Sequence, residues 1–159
     1  MRKPLQKPRV SLLFLFAKIP FWIGVYDENS MLIDSINIQE GKASDVLPLQ
    51  IEKLLEIYEP VKLMYANGPG NQMSIKICYV SLKALSIANA IPLVAANSFE
   101  FNSSGPIELT NNRFFCFEND KIILKFIEDI SESPLVLPSV LEQGRFSDAS
   151  VPLYVLPPA

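Results

Sequence analysis

Apolar runs at the start of the chain predict three consecutive strands. Residues 9–16, "RVSLLFLF", form a nearly continuous apolar run, which is typical of a strand buried on both faces of a sheet. The segments "FWIGVYD" and "MLIDSINI" follow after the short connections "AKIP" and "ENS". Strands joined by such short turns pair antiparallel. We therefore expect an antiparallel meander at one side of a sheet.

The next segments alternate between helix and strand patterns. In "GKASDVLPLQIEKLLEIYEP", apolar residues fall on one helical face, with Ser44 as the expected N-cap, Pro48 in the first turn and Pro60 as the stop. "VKLMYAN" predicts a strand, residues 74–89 a second helix, and "IPLVAANS" a further strand. Strands separated by a helix normally lie parallel. The expected fold is α/β, with a mixed five-stranded sheet of the actin-like ATPase or ribonuclease-H-like type.

The remainder of the chain has a different pattern of residues. "NRFFCFENDKIILKFIED" contains two strand-like runs around Asn119 and Asp120, which indicates a hairpin, and a proline-spaced tail follows. The predicted organisation is a basic N-terminal tail at 1–8, an actin-like lobe at 9–101, and a reduced C-terminal lobe at 102–159 that contains the hairpin and the proline-rich tail.

Composition narrows the class of protein. The 159 residues are 49% hydrophobic with a net charge of −3, so we expect a globular chain without a general attraction to nucleic acid. Cys78 and Cys116 have no CxxC spacing and predict neither a disulfide framework nor a zinc site. The basic, apolar start resembles a signal peptide, but its apolar run is short and no small-x-small cleavage site follows. Lys18 and Pro20 also interrupt it before it could span a bilayer. We therefore expect a cytoplasmic protein with no membrane segment.

Candidate chemistry is limited, and one glycine-rich turn is the strongest feature. The sequence contains no histidine, which removes the commonest general base. Gly68, Pro69 and Gly70 connect a strand to a helix, where free N–H groups and the helix dipole can hold an anion. The segment lacks both the GxxxxGK[ST] and the GxGxxG pattern. A purely structural connection and an anion site both remain open from the residues alone, and no catalytic or metal-ligating residue is predicted.

The second helix is apolar over more than one face. One stripe comprises Ile75, Cys78, Tyr79, Leu82 and Leu85, and the other comprises Ile77, Val80, Ala84, Ile87 and Ala88. A helix that covers a sheet needs only one apolar face, so the second stripe predicts contact with another lobe or another chain. Either stripe could face the sheet. With the first assigned to the sheet, the predicted partner interface is Val46, Leu49, Ile57, Ile77, Val80, Ala84 and Ile87.

These segments resemble the TsaB (YeaZ) family. The order of segments matches the order of the family's elements, including its G-P-G-S-F-T-G-x-R-I-G turn and helix. The matching segments are the strand meander, "ASDVLPLQIEKLLE", "YANGPGNQMSIKI" and "KALSIANAIPLVAANSFE". The resemblance covers about residues 9–101, and the closing "PLYVLPPA" is similar to the family's P-x-Y-x-R-P ending. Only Gly68, Pro69 and Gly70 with the following helix are fairly specific.

The resemblance implies a non-catalytic relative of the actin-like ATPases. TsaB proteins pair with the catalytic homologue TsaD and, with the ATPase TsaE, place threonylcarbamoyl on the adenosine beside the anticodon of tRNA. In that family the helices corresponding to about 45–58 and 74–89 contact TsaD, or support a homodimer when TsaD is absent. The implied partners are a TsaD-like subunit and a TsaE-like ATPase. Any tRNA contact would be indirect, and ATP and magnesium would bind only in the complex.

The chain departs from the family pattern at polar positions. Phe16, Ala17 and Lys18 stand where the family usually has an Asp-Thr-Ser or Asp-Thr-Ala turn. Residues 71–74, "NQMS", replace Ser-Phe-Thr-Gly, and Lys76 replaces an arginine. Each change removes a group suited to nucleotide, so the turn is expected to be architectural. The alternative is a small actin-like ATP-dependent transferase or kinase that uses the Gly68–Gly70 turn for phosphate, and a peptidase without histidine is less favoured.

Overall fold

A computed structural model describes residues 6–153 and contains two sheets. In chain order its elements are β1 Arg9–Leu15, β2 Phe21–Tyr26, β3 Leu32–Ile38, α1 Ala43–Ile57, β4 Glu59–Ala66, α2 Gln72–Asn89, β5 Leu93–Ala96, a 3-10 helix Ser98–Phe101, β6 Ile107–Thr110, β7 Arg113–Glu118, β8 Lys121–Phe126 and a second 3-10 helix Gln143–Arg145. No helix within these residues is both long and apolar enough to cross a bilayer.

The larger sheet has the strand order β3-β2-β1-β4-β5. β1 pairs antiparallel with β2, and β2 with β3, while β1–β4 and β4–β5 are parallel. The predicted mixed five-stranded sheet with an antiparallel side is therefore confirmed. The parallel half arises because α1 and α2 return the chain to the same end of the sheet before each new strand begins.

The principal core lies between this sheet, the helices and the tail of the chain. Every residue from Leu12 to Ala17 is buried, as expected for a central strand covered on both faces. On one face, α1 and α2 pack against each other and supply the buried side chains Ala43, Leu47, Leu54, Ile75, Cys78 and Leu82. The stripe of α2 that faces the core is therefore the one containing Ile75, Cys78 and Leu82.

Details at both ends of α1 differ from the sequence prediction. The helix begins at Ala43 with Lys42 as N-cap, so the prediction of Ser44 as N-cap was wrong, and Pro48 lies in the second turn rather than the first. The earlier start has a packing reason, because Ala43 is only 2% exposed within the core. The helix ends at Ile57 before it reaches Pro60, which lies in β4 beside a register shift where a missing N–H is tolerated.

The second sheet is a three-stranded antiparallel unit with the order β6-β7-β8. Asn119 and Asp120 have φ values of 51° and 61°, as a two-residue type I′ hairpin turn requires, and the predicted hairpin is confirmed. A small buried cluster of Phe99, Ile107 and Phe115 supports this sheet. Its interpretation as a reduced second lobe beginning at residue 102 stays a prediction.

After the second sheet the chain returns to the first. Leu135 and Leu141 belong to the principal core, and Ser147 exchanges two backbone hydrogen bonds with Ala95 of β5, with N···O distances of 2.7 and 2.9 Å. The tail thus completes the covering of the larger sheet. Most of the predicted basic tail and the end of the proline-rich tail, residues 1–5 and 154–159, lie outside the described residues.

Candidate functional site

The Gly-Pro-Gly turn lies at the carboxyl end of β4, where three parts of the chain meet. Gly68, Pro69 and Gly70 are all buried. The sheet order places the ends of β1 and β5 on either side of β4, and the C-terminal segment reaches the same place. Ligands in open α/β sheets bind at the carboxyl ends of strands, so this is the position where an anion site would be expected.

Three N–H groups around the turn donate hydrogen bonds within the protein. The Asn71 N–H donates to the Ala17 carbonyl at 2.6 Å, and the Ser98 N–H donates to the Gly68 carbonyl at 2.7 Å. The side chain of Asn71 caps α2 by accepting a hydrogen bond from the Ser74 N–H at 3.0 Å. An anion would have to compete with these acceptors for the same donors, so the contacts favour an architectural turn.

Both glycines are required by their surroundings. Gly68 has φ = +126°, a conformation that side-chain-bearing residues rarely adopt, and the backbone of Leu153 lies against it. At Gly70 a Cβ atom would lie 2.5 Å from the Ala17 carbonyl oxygen and 2.7 Å from the Ala17 Cβ. The turn therefore brings the start of α2 into direct contact with the end of β1.

The C-terminal segment covers the turn from another side. The Leu153 N–H donates to the Asn67 carbonyl at 2.8 Å, and Asn67 Nδ2 donates to the Val151 carbonyl at 3.0 Å. Two buried polar atoms nearby, Asn67 Oδ1 and Ser98 Oγ, make no hydrogen bond within the described residues. Asn67 Oδ1 can only accept hydrogen bonds and would repel an anion, whereas the Ser98 hydroxyl can donate as well as accept.

The end of β1 carries packing groups in place of nucleotide-binding groups. Phe16 is buried and stacks on Phe21, with ring centroids 4.5 Å apart. Lys18 Nζ lies 2.7 Å from Glu132 Oε2 and 3.2 Å from the Glu108 carbonyl, so it links the segment after β1 to β6 and to the segment after β8. No local sequence pattern predicts this ion pair, because 114 residues separate its members.

The two helices present large apolar side chains to solvent. On α2, Met73, Val80 and Ile87 are 67%, 56% and 72% exposed, and their spacing of seven residues places them on one face. Ala84 is exposed on the same helix. On α1, Leu49 and Ile57 are 50% and 55% exposed.

Two members of the predicted interface are less accessible. Val46 and Ile77 are half-buried and pack against the principal core. Ile77 also lines a cavity of about 510 Å³ where the beginnings of α1 and α2 meet. Met73, which the sequence prediction omitted, belongs with the exposed row, and its spacing from Val80 was the signal that could have identified it.

The remaining candidates for chemistry occupy structural positions. Burial raises the pKa of the Cys78 thiol, and both Cys78 and Cys116 are free cysteines. Among residues 6–153, no group of three or more His, Cys, Asp or Glu side chains is arranged to hold a metal ion.

Comparison with solved structures finds similar folds over most of this chain. The fold matches YeaZ from Pseudomonas aeruginosa with a TM-score of 0.54 and 14% sequence identity, over 80% of this chain and 67% of that chain. A second match is a crystal structure described as an uncharacterized protein with similarity to peptidase YEAZ from Pseudomonas aeruginosa. Its TM-score is 0.55 and its identity 14%, over 78% of this chain and 65% of that one. This chain has a YeaZ-like fold.

The similarity lies in the fold rather than in close sequence. No protein-family model matches the chain, and no curated protein matches it at a significant level. The YeaZ-like fold confirms, at the level of architecture, the resemblance seen in the Gly-Pro-Gly turn and its helix. The matched region spans about two thirds of each YeaZ-like structure.

Proposed function

We propose that this chain is a non-catalytic, TsaB-like subunit that pairs with a TsaD-like enzyme and activates it for threonylcarbamoylation of the tRNA adenosine beside the anticodon. The observation that carries the proposal is the exposed apolar row on α2, Met73, Val80 and Ile87, in a YeaZ-like fold. Large apolar side chains grouped on one exposed helix face are typical of a protein–protein interface.

The position of α2 supports a binding role for this row. Ile75, Cys78 and Leu82 hold the opposite face of the helix in the core. The Gly68–Gly70 turn and the Asn71 cap hold its first turn against β1. A rigid helix loses little conformational entropy when its outer face is covered, which favours association.

The charges around the row suggest how a partner is oriented. Lys76 and Lys83 are exposed on α2 near the apolar row, and Glu52 and Glu56 are exposed on the neighbouring α1. Charged groups around an apolar centre contribute more to orientation and association rate than to affinity. A TsaD-like surface is expected to place acidic groups toward α2 and basic groups toward α1.

The other parts of the proposal follow from pairing with TsaD. A TsaE-like ATPase would join the complex, ATP and magnesium would bind only in that assembly, and tRNA would be contacted mainly by the partner. The working compartment would be the cytoplasm. Without TsaD, the same helices could support a homodimer.

The test is co-expression of the chain with the TsaD from the same organism, followed by size-exclusion chromatography with light scattering. A one-to-one complex is expected. Val80→Asp should abolish it, while the free energy of unfolding of the variant alone changes by no more than about 0.5 kcal/mol, because Val80 is 56% exposed. Thr110→Asp is the matched control, since it adds the same charge at an exposed residue of β6.

Two results would contradict the proposal. One is a Val80→Asp variant that still co-purifies with TsaD in full yield. The other is a rise in thermal stability of the isolated chain with ATP and magnesium, since a ligand that binds the native state must stabilise it. That rise would favour the alternative, an ATP-dependent transferase or kinase that uses the Gly68–Gly70 turn.

A further inference from the structure

The outer edge of β8, Lys121–Phe126, is exposed to addition of another strand. β8 pairs with β7 on one side and with no other strand in residues 6–153. The chain partly covers its other sheet edges: Ser147 bridges β5, the Glu132 side chain accepts from the Glu108 N–H of β6, and Leu32 of β3 donates to Ser139. β8 is distinct among these edges, and unpaired strand edges are sites of strand addition.

The hairpin register shows which backbone groups point outward. Glu118 and Lys121 flank the two-residue turn and form a hydrogen-bonded pair with each other. Because such pairs alternate along an antiparallel ladder, Ile123 and Lys125 also bond to β7. The N–H and C=O groups of the intervening residues, Ile122, Leu124 and Phe126, therefore point away from the sheet.

The side chains of β8 divide between two faces. Ile122 and Leu124 pack on the small cluster under the second sheet, and Phe126, on the same face, is 67% exposed. Lys121 and Lys125 lie on the opposite face with Ile123 between them. Lys125 pairs with Glu118, whereas Lys121 has no ion pair within the described residues. An incoming strand would thus meet an apolar face and a face whose charged groups are Lys121, Lys125 and Glu118, with Asp120 in the adjoining turn.

We propose that the β8 edge binds an extended acidic segment of a partner protein as a fourth strand. Its carboxylates would lie opposite Lys121 and Lys125, and its alternate apolar side chains would extend the face formed by Leu124 and Phe126. A second copy of β8 fits less well. In antiparallel registers centred on Ile123 or Leu124, lysines of the two copies lie opposite or diagonal to each other, which is unfavourable.

The test uses the full chain labelled with ¹⁵N and the acetylated, amidated peptide EVTVE as probe. Binding should slow hydrogen exchange at the amides of Ile122, Leu124 and Phe126 and leave those of Ile123 and Lys125 unchanged, since the latter already bond to β7. The peptide KVTVK should bind at least about tenfold more weakly, the equivalent of about 1.4 kcal/mol. If added salt weakened the binding of EVTVE less than it weakened the binding of KVTVK, the result would contradict the charge argument.

Two further measurements separate backbone pairing from side-chain contact. Phe126→Pro removes one outward N–H but no bond to β7, so it should reduce binding of EVTVE about tenfold, while Phe126→Ala retains most of it. EVTVE N-methylated on both valines tests the same pairing on unaltered protein and should not bind. Equal binding of EVTVE and KVTVK, or concentration-dependent dimerisation that protects the three amides without peptide, would overturn the proposal.

Discussion

Substitution of Gly70 by alanine tests whether the turn fixes α2 against the end of β1. The added Cβ would lie 2.5 Å from the Ala17 carbonyl oxygen and 2.7 Å from the Ala17 Cβ. Both distances are well inside normal van der Waals separation, and the oxygen belongs to the backbone of a buried strand end. The clash can be relieved only if the turn and the start of α2 move away from β1.

The expected cost is that of overpacking a well-packed interior, about 2 to 3 kcal/mol in the free energy of unfolding. For a chain of this length, that corresponds to a fall of roughly 4 to 12 °C in the midpoint of thermal unfolding. Movement of the turn would also lengthen the 2.6 Å hydrogen bond from the Asn71 N–H to Ala17. Part of the cost therefore reflects a weakened hydrogen bond.

The assay is urea denaturation followed by tryptophan fluorescence and circular dichroism, with Gly144→Ala as the matched control. At Gly144 an added Cβ would have nothing within 4 Å, so that variant should remain within about 0.5 kcal/mol of the parent. Combining Gly70→Ala with Ala17→Gly should recover less than half of the loss, because the contact with the Ala17 oxygen persists.

The reasoning would be refuted if Gly70→Ala unfolded at the same urea concentration as the parent. Complete rescue by Ala17→Gly would contradict it in a more limited way, by assigning the whole cost to the two Cβ atoms. The first result would mean that the contact between the turn and β1 is looser than these distances indicate, and the architectural interpretation of the turn would lose its main support.

Two further predictions concern the core. Leu47→Ala should lower the free energy of unfolding by about 2 to 5 kcal/mol and Leu49→Ala by less than about 1 kcal/mol, because Leu47 is fully buried and Leu49 is 50% exposed. Urea denaturation measures both values, and equal losses would contradict this orientation of α1. Tyr26→Phe removes a hydrogen bond of 2.7 Å to the Pro138 carbonyl and should cost about 1 kcal/mol at neutral pH. Burial raises the pKa of Tyr26 above its value in the unfolded chain, so its stabilising contribution is present below about pH 10 and declines as the pH rises further. The difference in unfolding free energy between parent and Tyr26→Phe should therefore shrink from pH 9 to 11, and a constant difference would contradict the assignment.

Much of the larger sheet could be predicted because its signals are local. The apolar run from Arg9 to Phe16 marked a strand covered on both faces, and two helices between later strands required parallel pairing. The hairpin at Asn119 and Asp120 was equally local, since both residues readily adopt positive φ. Errors occurred at the ends of α1, where burial of Ala43 rather than capping by Ser44 decided the boundary.

The candidate site could be predicted only in part from the sequence. The period of the helix indicated two apolar stripes on α2 but could not say which one faced the sheet. The structure decided this by burying Ile75, Cys78 and Leu82 and leaving Val80 and Ile87 exposed. In the sequence, Val46 and Ile77 could not be distinguished from the exposed members of the predicted interface. In the structure both are half-buried, because they pack against the principal core.

By itself the sequence determined the order and type of the main elements and the place of the Gly-Pro-Gly turn, because hydrophobic period and turn chemistry act over a few residues. Only the tertiary structure decided what the turn contacts, through hydrogen bonds from Asn71 to Ala17 and from Leu153 to Asn67. It also decided that Lys18, after β1, pairs with Glu132, after β8. These contacts join residues far apart in the chain, and their partners are selected by packing of the whole molecule rather than by any local pattern.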